Sequence, residues 1–111
     1  MLTIKKINTP AKGTIEILIK RLQSDELGNK LRNNGLASVG MIQGPLVLII
    51  AAGDVAEKAS NVEVAEITGI CPQHMAMVGV FGDISAVAVA LKAVENWEQN
   101  GYTSGDESSL L

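Results

Sequence analysis

Apolar and polar positions divide the chain into segments with different periods. Residues 14–20, Thr-Ile-Glu-Ile-Leu-Ile-Lys, put Ile15, Ile17 and Ile19 at every second position, the pattern of a half-buried strand. A shorter strand at 3–7 precedes it, with Asn8 to Gly13 as the turn. Ser24 is then placed to cap a short helix, and Asp25 and Glu26 occupy the first turn, where the helix dipole favours anions. Leu27 and Leu31 share one face of that helix, Lys30 and Arg32 sit near its end, and Gly35 is a natural stop.

A further strand is expected over 36–43. Gly44-Pro45 then opens a helix, because proline in the first turn lacks an N–H that would have no partner anyway. Leu46 to Ala52 is apolar all round, whereas Asp54 to Ser60 is amphipathic, so the first part of this helix needs cover beyond a single sheet face. Residues 61–67 alternate as a strand, and the almost wholly apolar Met75 to Phe81 predicts a buried central strand. Gly82-Asp83 caps a last helix with Ile84, Val87, Leu91 and Val94 at helical spacing. Residues 1–98 thus form one domain, in which 1–13 is an N-terminal strand or hairpin extension. Residues 99–111 form a flexible acidic and polar tail. The fold class is α/β, an α+β sandwich with helices flanking one antiparallel or mixed sheet.

Composition narrows the function. Nine basic against 12 acidic residues, a formal net charge of −3, argue against a sequence-independent nucleic-acid binder. The charges of Met1 to Lys6 have no apolar stretch after them, so no secretory leader is expected. The longest apolar run, Leu46 to Ala52, falls far short of the roughly 20 residues that cross a bilayer. One cysteine excludes an internal disulfide framework and fits a reducing cytoplasm. The chain is 47 % apolar, yet Trp97, Tyr102 and Phe81 are its only aromatic residues. So much small apolar sequence in a domain with little interior volume implies cover by neighbouring subunits, and an oligomer is expected.

Three stretches, "ASVGMIQ" (37–43), "AAGDVAEKASNVEV" (51–64) and "VGVFGDISAVAVAL" (78–91), resemble the bacterial microcompartment (BMC) shell domain. Ala52-Gly53-Asp54 through Lys58-Ala59 matches the run that ends that family's first helix, and Gly82 to Val87 the run that opens the next. The strand and helix at 14–34 precede the "ASVGMIQ" strand instead of following the last helix. That order resembles the circularly permuted branch, and the loop "GICPQH" (69–74) is closest to the iron–sulfur-binding shell protein of glycyl-radical propanediol compartments.

The resemblance implies a permuted, ferredoxin-like BMC fold and a flat cyclic homohexamer that tiles edge to edge with other shell proteins in the cytoplasm. It implies no enzymatic activity, no nucleic acid and no membrane, with encapsulated redox enzymes as further partners. Thr68, Gly69, Ile70, Cys71, Pro72, Gln73 and His74 would line a central pore. The N-terminal hairpin would form a small barrel at one pore mouth. Asp54 and Lys58 would lie at the hexamer edge.

In such a ring, six copies of Cys71 exceed the four thiolates that a 4Fe–4S cluster takes. Pro72 biases Cys71 toward an extended backbone, and Gly69 permits a sharp turn. Plainer readings stand beside these. A lone cysteine is often a small buried hydrophobe. His74 is a second ligand or a loop-edge residue bonded to backbone, and Gln73 reaches across the pore or faces water. Lys58 alternatively complements a helix dipole in solvent, and Met75 and Met77 belong to core or interface. Two other functions stay open: a thiol-dependent enzyme using Cys71 and His74, and a small ligand-binding regulatory oligomer.

Overall fold

Hydrogen bonding joins β1 (Thr3–Asn8), β2 (Ser38–Pro45), β3 (Glu63–Glu66) and β4 (Met75–Gly82) into one antiparallel sheet of order β1-β2-β4-β3. Around it lie helices α1 (Lys12–Arg21), α2 (Asp25–Asn34), α3 (Leu46–Ala59) and α4 (Ile84–Gln99). The computed structural model describes residues 2–34, 37–69 and 75–102.

Strand alternation sorts the central side chains to two faces. Ile42 of β2 with Val78 and Val80 of β4 packs against Ile49, Ala52 and Ala56 of α3 and Val87, Leu91 and Val94 of α4. Val39 and Phe81 point the other way, onto Leu18 of α1 and Leu27 and Leu31 of α2. β4 therefore has cover on both faces, which is why Met75 to Phe81 is an unbroken apolar run. Ser38 is the one buried polar residue among those described, and its hydroxyl donates to Asn8 Oδ1 at 2.8 Å.

The segment 14–20 is helical, not a strand. Ile15, Leu18, Ile19 and Leu22 stand three or four apart and meet Leu27 and Leu31, whereas Ile17 is 64 % exposed. The alternation of isoleucines was one of two periods present in the same short stretch, and burial against α2 selects the helical one. No N-terminal hairpin forms as a result. β1 instead pairs antiparallel with β2, from Thr3 opposite Gln43 to Asn8 opposite Ser38, and becomes an edge strand of the main sheet.

Other expectations hold with small shifts. Ser24 caps α2, its Oγ accepting from Leu27 N–H at 3.2 Å. Gly35, the expected stop, lies outside the described residues. Pro45 ends β2 and occupies the N-cap position of α3, one residue before the helix proper. Asp83 holds the N-cap position of α4 without a side-chain bond; its carbonyl accepts from Val87 N–H at 2.9 Å. Gln99, counted with the tail, completes α4, and Tyr102 packs edge-on to Trp97 with centroids 5.0 Å apart.

Candidate functional site

The stem of the cysteine loop is fastened to the connection between α1 and α2. Leu22 forms an isolated antiparallel bridge with Ile67. Thr68 N–H donates to the Arg21 carbonyl at 2.8 Å, and Gln23 Nε2 donates to Thr68 Oγ1 at 3.4 Å. Arg21 Nη1 lies 3.5 Å from the Thr68 carbonyl, a long contact beside those bonds. On the far side of the loop, Met75 pairs with Pro45. Thr68 and Gly69 are thus placed at one end of the sheet. Ile70, Cys71, Pro72, Gln73 and His74 lie outside the described residues.

A cleft of about 530 Å3 opens beside this stem, between α1 and the sheet face. Met41, Met77 and Ile17 give it an apolar part, while Arg21, Gln43 and Glu66 supply a cation, an amide and a carboxylate. Sequence reasoning missed Arg21, Gln23, Met41 and Gln43. The β2 pair had a signal: Met41 and Gln43 alternate with Ile42, so they face away from its core. The Arg21 and Gln23 contacts had none, because they join segments more than 40 residues apart.

At the opposite end of α3, Lys58 Nζ lies 2.8 Å from Asp54 Oδ2, an exposed i,i+4 pair. The hydrogen bond to Asp54, and then its charge, hold the Lys58 ammonium above the usual lysine value. Among the described residues, no group of three histidine, cysteine or acidic side chains could hold a metal ion. No described helix is long and apolar enough to cross a membrane.

The family model for the BMC domain matches residues 38–105, a span that begins at the first residue of β2 and runs past the end of α4. The chain belongs to the BMC domain family. β1, α1 and α2 precede the matched part, and β1 returns to the sheet beside the strand that opens the BMC domain. The ligand-free GrpU microcompartment shell protein from Pectobacterium wasabiae is similar at a TM-score of 0.64 and 28 % identity, over 84 % of this chain and 99 % of that one. The ligand-free GrpU shell protein from Clostridiales bacterium 1_7_47FAA gives 0.65 and 29 %, over 90 % and 95 %. The fused permuted hexameric shell protein MSM0275 from the RMM microcompartment matches at 0.65 and 19 %, over 95 % of this chain and 46 % of its own length, a likeness of fold alone. No curated protein matches.

Proposed function

We propose that this BMC-domain protein is a structural tile of a bacterial microcompartment shell in the cytoplasm, of the permuted type, assembling as a cyclic hexamer. The observation that carries this is its similarity, over most of both chains, to two GrpU microcompartment shell proteins. Its role is architectural and not enzymatic. The neighbours are shell proteins, and His74 is the chain's only histidine to serve Cys71 as a base.

In this reading the loop 68–74 surrounds the six-fold axis and presents one thiol per chain. Four of six Cys71 thiolates would hold a 4Fe–4S cluster, a chemistry that one chain with one cysteine cannot supply alone. A bound cluster would accept and release an electron at the pore. The described part of the loop suits this role, since the Thr68 bonds to Arg21 and Gln23 fix where the loop leaves the sheet. Asp54 and Lys58, exposed on α3, would meet the neighbouring hexamer.

Purification without oxygen, with iron and sulfide measured per chain, tests the cluster. About four irons per six chains, absent in Cys71→Ser, is the expected result. Iron-free protein after anaerobic reconstitution overturns the cluster and leaves the tile. Mass measurement and electron microscopy test the tile: hexamers that form sheets are expected. A discrete dimer or a monomer overturns it.

A further inference from the structure

Strand register puts three methionines on one face of the sheet. Gln43 stands opposite Met77 and Pro45 opposite Met75, so Met41, Gln43, Met75 and Met77 all rise from the face that α1 crosses. Ile17, Leu18 and Arg21 of α1 line the other wall, and the cleft between them has a volume of about 530 Å3, within the range of small-molecule sites. Neither a structural tile nor a pore cluster calls for such a space.

The chemistry of its walls is of two kinds. Methionine side chains are unbranched and polarizable, so three of them adapt to an apolar guest of varied shape. Ile17, 64 % exposed, adds to that wall. One helical turn after Ile17 and on the same side of α1, Arg21 brings a guanidinium. The described ion pairs join Lys30 to Glu63, Arg32 to Glu16 and Lys58 to Asp54, and Arg21 is in none of them. Its side chain has only the long 3.5 Å approach to the Thr68 carbonyl. Glu66, the one acid among the described lining residues, stands opposite Val78 of the closed core and so reaches the cleft only at its rim. Lys5, opposite Met41 on β1, adds a second cation to the cleft's own face. An apolar hollow with an uncommitted cation at its edge is complementary to a molecule with an apolar tail and an anionic head.

We propose that this cleft binds a small aliphatic monocarboxylate, with its tail against Met41, Met75 and Met77 and its carboxylate on the Arg21 guanidinium. The planar fork of a single arginine matches a carboxylate in bidentate fashion. The proposal goes beyond the tile and the cluster and depends on neither.

Octanoate is the probe. The full chain, isotope-labelled at its methionine methyls and tryptophan indole, is titrated and followed by NMR. The Met41, Met75 and Met77 methyl signals are expected to shift saturably, while Trp97, buried on the closed face, stays in place. Octanol, with the same tail and no charge, should need about tenfold more, and acetate, with the charge and no tail, should move nothing at the same concentration. Arg21→Gln keeps the backbone carbonyl that accepts from Thr68 N–H. It should weaken octanoate about tenfold and leave octanol unchanged, a split that damage to the fold would not produce. Ile17→Trp, at an exposed position, should fill the cleft and abolish the shifts. Methyl signals that octanoate leaves unmoved would overturn the proposal, the cleft then being filled within the assembly. Equal affinity for octanol, or parent-like binding of octanoate by Arg21→Gln, overturns the carboxylate. Shifts that persist in Ile17→Trp, or that extend to Trp97, overturn the placement in the cleft.

Discussion

The two faces of the sheet are covered to different degrees. On one, α3 with 14 residues and α4 with 16 run about 21 and 24 Å, close to the roughly 26 Å of the 8-residue strands β2 and β4. That face is closed: Ile42, Val80, Val87 and Val94 have no exposed surface. On the other, α1 and α2 have 10 residues each, about 15 Å, and cannot span the strands. They cover Val39 and Phe81 but leave Met41, Gln43 and Met77 facing the cleft. The family match spans β2, α3, β3, β4 and α4, whereas the short helices of the open face come from the segment ahead of it. Side-chain cover is thus complete along one face and partial along the other. The other holds the loop stem beside space into which it can relax.

Truncation gives the largest expected effect. Ile42→Ala leaves a hole that α3 and α4 cannot fill without parting from each other, and should cost about 4 kcal/mol of unfolding free energy. Leu18→Ala, in a helix free to settle toward the cleft, should cost about 2 kcal/mol. Denaturant unfolding of both variants measures the difference. Equal losses would mean that the open face is as tightly determined as the closed one.

Glycine substitution sharpens the contrast from the opposite direction, by adding volume. A Cβ at Gly40 would stand 2.8 Å from Leu91 Cδ2 on the closed face. One at Gly79 would stand 2.6 Å from Phe81 Cζ and 2.9 Å from Ile67 Cδ1 on the open face. Contact distance alone ranks Gly79→Ala as the worse change. Freedom to repack ranks Gly40→Ala worse, at about 2 kcal/mol against about 1 kcal/mol. Midpoints in urea decide between the two rankings, and a costlier Gly79→Ala would show that Phe81 cannot yield toward the cleft.

The same division governed what the sequence could reveal. On the closed face, burial and pattern agree: Ile42, Val78 and Val80 alternate, Val87, Leu91 and Val94 keep helical spacing, and the chain's short loops bring these elements together. On the open face, local pattern was ambiguous. Ile15, Ile17 and Ile19 satisfy a strand, Ile15, Leu18, Ile19 and Leu22 satisfy a helix, and contact with Leu27 and Leu31 of α2 decides for the helix. The candidate site was legible only as composition, a lone cysteine and a lone histidine around a proline. Its anchoring was not, because Thr68 is held by backbone and amide groups of Arg21 and Gln23, and a backbone carbonyl has no signature in the sequence.

The smallest effect concerns the rim of the closed face, where Tyr102 seals Trp97. Partial burial, followed by the charge of Glu98 and the hydrogen bond from the phenol to its carboxylate at 3.3 Å, raises the Tyr102 pKa above its usual 10.0. A folded-state pKa raised above the unfolded one means that the associated stability is complete below about pH 10 and is lost as pH rises through the folded value. Tyr102 is the only tyrosine, so ultraviolet titration of the phenolate reads it directly. The midpoint of the folded protein should lie above that of the unfolded chain. Glu98→Gln should lower it only part of the way, because burial, the larger cause, remains. A folded midpoint equal to the unfolded one would mean that the ring leaves Trp97 in solution. The closed face would then end at Trp97, with its rim as open as the face across the sheet.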